Sequence, residues 1–415
     1  MRIEELHLKN FRCFEELDIN FPESNLAVFI GLNGSGKTAI LDAITLFLSE
    51  WRVFYFKRYL KTHIYNKEIT PSILNSDICN GSQETMNSIL ASHCNKKISW
   101  KIDKNFKSDL KIEFNESCNK ECEKTAFFIS YKTNRKNDCN INSYCNNNFS
   151  DFERWFEKEE NIENRLKLKK KDFNATNVKL DVVRKAIILF FSNIYGLSFF
   201  NLRVEQTIVD NNDIKNEHHD SSLVITCNEK ELKLFQLSEG QKVLLNMVAN
   251  IVFNLTRINH ENDNGEYVNN ILQSDGIVLI DEIELHLHPQ WQREVLPALQ
   301  KTFPNIQFIV TTHSPQVLSK VDKDDIFILK DNKIYQPSSN PIGRDSSDIL
   351  EEIMGISARP QDIEELSKDY FSFINQNLFN DAEKVRLKLL EKLDPKDPIF
   401  IRADAIITRK KLLKR

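Results

Sequence analysis

Gly276-Ile-Val-Leu-Ile-Asp-Glu-Ile-Glu-Leu-His-Leu-His-Pro289 is the stretch that decides the fold class of this chain. Four apolar residues, Ile277 to Ile280, run directly into two adjacent carboxylates, Asp281 and Glu282. An apolar run ending in charge is the pattern of a strand buried on both faces, with its C-terminal tip opening into a site. Open α/β sheets bind ligands just outside such tips. Two dry, unpaired carboxylates there would cost several kcal/mol, so the pattern asks for a cation or a reacting water beside them.

The matching piece lies near the N-terminus. Residues 2–9 and 14–30 read as three short strands around the turn Asn10–Phe14, and Ala27–Ile30 leads into Gly31-Leu-Asn-Gly-Ser-Gly-Lys-Thr38. This is G-x-x-x-x-G-K-T between a strand and a helix, Ala39–Leu48, which is the context a phosphate-binding loop needs. Three of the chain's ten glycines sit in these eight residues. They let the backbone N–H groups of Asn33, Gly34, Ser35 and Gly36 turn inward around phosphates at a helix N-terminus. Lys37 would reach the β/γ-phosphates and Thr38 would ligate Mg²⁺, which makes ATP and Mg²⁺ the expected cofactors.

At 415 residues the chain is long enough for more than one domain, and its net charge of −4 carries no global basic footprint for nucleic acid. No apolar stretch reaches the ~18–20 residues of a membrane span. The opening MRIEELHLKN alternates like a strand and lacks a signal peptide's apolar core. These features point to a cytoplasmic protein without membrane contact, and to reduced thiols for its eight cysteines. Cys118, Cys122, Cys139 and Cys145 match no standard zinc spacing, and free thiols are the simpler reading.

Four regions follow from patterning. Residues 1–50 carry the phosphate loop. Residues 51–234 read as an insertion or lid: irregular and polar to about Lys124, a returning strand at Ala126–Ile129, then helices over Ser150–Lys171 and Leu180–Ser192 and a strand and hairpin over Asn201–Phe235. The run Lys167–Lys171 is ordinarily a solvated helix face, with nucleic-acid or partner contact as the sharper alternative. His218 and His219 read as exposed polar residues. Residues 235–345 carry Leu237-Ser-Glu-Gly-Gln-Lys242 before an amphipathic helix, the opening strand, and a further buried strand, Ile306–Thr312, ending at His313. Ser238 can cap its helix, and Gly240 permits a close backbone approach. Residues 346–415 are helical only.

Taken in order, Asn-Phe-Arg-Cys-Phe (10–14), GLNGSGKT (31–38), LSEGQ (237–241), IVLIDE (277–282) and TTHS (311–314) resemble the ABC-type ATPase heads of the SMC and RecF class. About 200 residues separate the phosphate loop from LSEGQ, too few for a long coiled-coil arm. The stretches Asp281–Ser319 and Trp155–Lys167 are similar to compact bacterial AAA-type ATP-binding proteins. Ser357–Leu366 and Asp394–Lys410 are similar to the PtuA family of ATPases from Septu anti-phage systems, which also accompany some retrons.

The resemblance implies an α/β head of the P-loop type, with a mixed sheet flanked by helices and a helical C-terminal appendage. It implies ATP hydrolysis, with Asp281 holding Mg²⁺ alongside Thr38, Glu282 as general base and His313 at the γ-phosphate. Arg12 would lie near the phosphates. Ser238 and Gly240 would meet the nucleotide of a second copy in a head-to-tail homodimer or a higher oligomer. The implied partners are an HNH nuclease of the PtuB kind and, in retrons, a reverse transcriptase with its ncDNA. The glutamine expected in such heads after the returning strand is missing from Ser130–Arg135. A RecF-like repair ATPase binding DNA directly is the alternative, through Lys167–Lys171 or the basic tail. A transporter-type subunit is disfavoured by the forms DEIELHLHP and TTHSPQVL.

Overall fold

The computed structural model describes residues 1–55, 77–79, 82–93, 96–105, 111–116, 127–132, 149–207, 220–258, 271–357 and 359–413. Cys94, the cysteines at 118, 122, 139 and 145, His218 and His219 lie outside them, as do residues 133–135. Cys13, Cys79 and Cys227 are free thiols.

The chain forms two units, Met1–Gly343 and Arg344–Arg415. The first is built on a six-stranded sheet. Its central strands are β3 (Leu26–Gly31), β7 (Phe127–Tyr131), β11 (Gly276–Ile280), β12 (Ile306–Thr311) and β13 (Ile326–Lys330), all parallel, with antiparallel β14 (Lys333–Tyr335) at one edge in the order β14-β13-β3-β12-β11-β7. Every residue of β11 and β12 is buried, which is why these strands read as unbroken apolar runs. Registers pair Ile280 with both Val310 and Tyr131, and Thr311 with Phe29. The phosphate loop, the Asp281–Glu282 pair and His313 therefore emerge at one end of one sheet.

The region from Trp51 to Lys124, expected to be irregular, supplies three strands. β4 (Glu84–His93), β5 (Lys96–Asn105) and β6 (Lys111–Glu116) extend the hairpin of β1 (Arg2–Phe11) and β2 (Phe14–Asn20) into an antiparallel sheet ordered β2-β1-β4-β5-β6. Ile98, Trp100 and Ile102 are buried while Lys101 between them is exposed, a period-2 pattern hidden by the polar composition around it. This sheet packs on α1 (Lys37–Tyr55): Trp100 stacks on Trp51 at 5.6 Å between ring centroids and donates from Nε1 to Phe47 O at 3.1 Å. The helix that starts at the phosphate loop thus shares one core with strands of both sheets.

The remaining elements of this unit are α2 (Phe149–Lys170), α3 (Val178–Phe191), the three-stranded sheet β8 (Phe199–Thr207), β9 (Asp220–Cys227) and β10 (Lys230–Lys233), α4 (Glu239–Ile258), α5 (Pro289–Thr302) and α6 (Pro315–Leu318). Arg184 of α3 bonds both Glu160 (2.9 Å) and Glu163 (3.1 Å) of α2, and Glu160 accepts from Val204 N of β8 at 2.6 Å. Burial raises the Glu160 carboxyl above its usual range, against the bond from Val204 and the charge of Arg184.

The second unit contains α7 (Ser346–Asp348), a π-helical turn (Ile349–Ile353), α8 (Gln361–Asn375), α9 (Phe379–Leu390) and α10 (Pro398–Leu413). Its core gathers Tyr370, Ile374, Leu389, Phe400 and Ala403, and Arg359 grips Asp397 through both terminal nitrogens at 3.0 and 3.1 Å.

Candidate active site

Chain conformation at Gly31–Thr38 requires glycine. Gly34 and Gly36 adopt φ of +81° and +98°, and a Cβ on Gly36 would lie 2.3 Å from the Phe14 ring and 2.7 Å from Cys13 Sγ. The Asn10–Phe14 turn is thus wedged beneath the loop. Lys37 is almost fully buried and donates from Nζ to Gly31 O and Leu32 O, each at 2.9 Å. Burial lowers its pKa, opposed by the charges of Asp281, Glu282 and Glu284. Among the described residues, Ser35 Oγ is buried with no hydrogen-bond partner.

Across the loop, Thr38 Oγ1 stands 3.1 Å from Asp281 Oδ2 and 3.4 Å from Oδ1. Asp281 is buried and accepts from Thr311 Oγ1 at 2.6 Å, and its N–H donates to Tyr131 O at 2.9 Å. Glu282 has φ of +49°, a conformation that costs about 1–3 kcal/mol for a non-glycine residue. The bond from Glu282 N to Thr311 Oγ1, 2.8 Å, holds it there. The turn continues with Ile283 N donating to Thr311 O (3.1 Å).

Two residues that sequence reasoning passed over complete this end. The Glu284 carboxylate accepts from Thr312 Oγ1 at 2.7 Å and from His313 N at 2.6 Å, and Ser314 Oγ donates to Gln292 Oε1 at 2.6 Å. Nothing in a linear reading pairs a glutamate in E-L-H-L-H with a threonine 28 residues on. The available signal was the polar string Thr311–Ser314 at the end of a buried strand. His313 is half-buried; burial and then the charge of Lys37 lower its pKa, against Glu284, Glu282 and Asp281.

The other expected residues fall as follows. Arg12 lies beside the loop, but its guanidinium is engaged by Asp42 (2.7 Å) and Asp77 (3.0 Å). Burial opposes its charge, and the bonds to those carboxylates raise its pKa above the ordinary value. Lys132, in the segment that lacks a glutamine, pairs with the same Asp42 at 3.1 Å. Ser238 is exposed and forms a capping box with Gln241, accepting from Gln241 N at 3.3 Å while its own N–H donates to Gln241 Oε1 at 2.9 Å. A Cβ on Gly240 would meet His286 O at 2.7 Å and the Trp291 ring at 3.1 Å, so a glycine lets α4 pack against the 282–291 segment. Among the described residues, no hydrogen bond joins Ser238 to the loop Gly31–Thr38.

The arrangement fits a nucleoside triphosphate with a divalent cation. The loop offers a glycine cradle, a buried hydroxyl without a partner and a buried ammonium. Thr38 and Asp281 present a hydroxyl and a carboxylate to one point, the hard oxygen donors that Mg²⁺ takes. Bound there, the cation would neutralise phosphate charge. Phosphoryl transfer depends on positioning and charge neutralisation, and the buried ammonium of Lys37, with Glu282 and His313 around the same tip, is the kind of group that chemistry uses. The fold and these residues define a P-loop ATPase of the ABC-head type.

Residues 2–335 match the RecF/RecN/SMC N terminal domain, and the chain belongs to that family of ATPases. It is 26% identical to a retron Ec83 probable ATPase of Escherichia coli, over 97% of this chain and 85% of the relative. It is 25% identical to the Septu protein PtuA of Bacillus thuringiensis, over 96% and 95%. An SMC head domain from Thermotoga maritima shares 14% identity over 81% of this chain and 98% of that one, with a TM-score of 0.45. The protein is an SMC/RecF-like ATPase related to PtuA.

Proposed function

We propose that this chain is the nucleotide-switch subunit of an anti-phage defence complex. ATP, with Mg²⁺ between Thr38 and Asp281, closes two copies head to tail, and each copy's Ser238 and Gly240 complete the other's site. Closure then governs a separate HNH nuclease of the PtuB kind, and in a retron setting a reverse transcriptase with its ncDNA joins the assembly. Within each site Lys37 and residues Asn33–Gly36 hold phosphates, Arg12 borders them, Glu282 is the base and His313 contacts the γ-phosphate.

One observation carries this reading. Lys37, Thr38, Asp281, Glu282 and His313 converge within one protomer, while Ser238 stays exposed at a capped helix start with no bond to its own phosphate loop. The likeness to a retron ATPase and to a Septu protein supports the defence setting. Co-expression with an HNH nuclease of the PtuB kind tests it: the two are expected to co-purify, with a stoichiometry that shifts between ATP and ADP. Failure to associate in either nucleotide would sink the proposed partnership.

A second reading has its own observation. At the C-terminal end of α2 and the turn after it, Leu168 and Phe173 are 74% and 84% exposed beside Lys169, Lys170 and Lys171, which make no ion pair among the described residues. Lys167 is already paired with Glu163 at 2.7 Å. Free cations around an exposed ring suit contact with nucleic acid. Reversing all three lysines to Glu is expected to weaken binding of an oligonucleotide at least tenfold. It should also flatten the salt dependence by roughly 0.7 of a log unit per lost phosphate contact. Unchanged affinity in a fluorescence-anisotropy titration would remove this reading.

A further inference from the structure

We infer that Glu284 is a positioning residue for ATP hydrolysis: its carboxylate holds the backbone of Thr312–His313 and so sets where the His313 ring stands at the strand tip. The inference rests on reading His313 as the residue at the γ-phosphate.

Glu284 is half-buried and receives two short bonds, from Thr312 Oγ1 at 2.7 Å and from His313 N at 2.6 Å. Bonds to a charged acceptor are stronger than neutral ones. The same glutamate is fixed from its own side, because Leu285 N donates to Glu282 O and Leu287 N to Glu284 O, each at 3.0 Å. On the other side, Thr312 N donates to Phe29 O at 3.1 Å, within the strand that leads to the phosphate loop. Thr311 already ties to Asp281, Glu282 and Ile283. Glu284 adds the last rungs of this ladder, and His313 comes immediately after Thr311 and Thr312. Without Glu284, the backbone N–H of His313 is released and the ring loses its fixed place relative to Lys37 and Asp281. A misplacement of about 1 Å at a reacting centre can cost about 10²-fold in rate.

Glutamine separates this role from one that needs the carboxylate's charge. In Glu284→Gln the amide oxygen can accept from His313 N, and the amide N–H can donate to Thr312 Oγ1, whose hydroxyl rotates to accept. Both ties survive the loss of charge. Alanine keeps neither, and Thr312→Val removes only one.

The test uses the full chain with ATP and Mg²⁺, measuring steady-state phosphate release, equilibrium binding of a fluorescent ATP analogue, and thermal melting as a folding control. Glu284→Ala is expected to lower kcat by about 10- to 100-fold with KM changed less than about twofold. Glu284→Gln should stay within about threefold of the parent, and Thr312→Val should fall between them. The double variant Glu284→Gln/Thr312→Val keeps only the tie from His313 N and should match Thr312→Val, which keeps the test informative if the alanine variant does not fold. Glu284→Gln as slow as Glu284→Ala would overturn the inference, because the carboxylate charge itself would then be required. So would an unchanged kcat in Glu284→Ala. His313→Ala tells the two levels apart. If it lowers kcat while Glu284→Ala does not, only the positioning role falls. If it leaves kcat unchanged, the reading of His313 falls and takes the inference with it.

Discussion

Glu282→Gln is expected to slow ATP hydrolysis by about 10³-fold while leaving nucleotide binding intact, since removing a general base typically costs 10²- to 10⁴-fold. Gln keeps the size of the side chain and the bond from the backbone N–H of residue 282 to Thr311 Oγ1, so the turn with its positive φ is preserved. What is lost is the acceptor for a water proton. On the proposed head-to-tail closure, the closed form should then persist, and size-exclusion chromatography with light scattering should show an ATP-dependent dimer that outlives the parent's. Hydrolysis at the parental rate would show that the base is another group.

Lys37→Ala is the second large effect, and it acts on binding. Lys37 provides an almost fully buried cation facing Asp281, Glu282 and Glu284. Without it, a polyanion would enter a loop bordered by three carboxylates. A hydrogen bond to a charged group contributes about 1.5–3 kcal/mol, so loss of the lysine's phosphate contacts should weaken ATP binding by about 100-fold or more. The fold should tolerate the change, because the bonds lost are two donations to carbonyls of the lysine's own loop. Calorimetric titration gives the affinity, and binding within threefold of the parent would refute the assignment. Because burial lowers the Lys37 pKa, the parent's affinity should also decline at alkaline pH earlier than an ordinary lysine would dictate.

How much of this was legible in the linear chain depends on the range of the interactions involved. The phosphate loop and the IVLIDE strand are local strings whose chemistry and conformation coincide, and they stood out at once. β5 is also locally encoded, as Ile98, Trp100 and Ile102 alternate, but surrounding Asn, Lys and Cys masked a pattern that only packing against Phe47 and Trp51 makes decisive. From its place in N-F-R-C-F, Arg12 points toward the phosphates, but its partners Asp42 and Asp77 lie 30 and 65 residues away, with no spacing rule to announce them. Glu284 is the clearest case of what a sequence withholds. Its bonds run to the next strand over, which nothing in E-L-H-L-H announces. Gly240 could be read as a close approach, yet its counterpart, His286 O, is set by the fold.

The parallel sheet also imposes an order on the life of the molecule. β3 ends at Gly31, but its two neighbours, β12 and β13, come from residues 306–330, and the buried side chain of Gln307 closes a pair of bonds with the backbone of Ile3 (2.8 and 3.0 Å). At a synthesis rate of about 5–20 residues per second, the first of those neighbours leaves the ribosome roughly 15–60 seconds after β3. Until then the phosphate loop is attached to a strand with neither of its eventual flanks, and β3 offers its full apolar length to any chaperone or any other nascent chain. Contacts this distant in sequence form slowly, because the loop entropy is spent before the contact repays it. The nucleotide site can therefore assemble only once β12 and β13 have been made, and a ribosome that stalls before about residue 306 leaves a fragment with no competent nucleotide site.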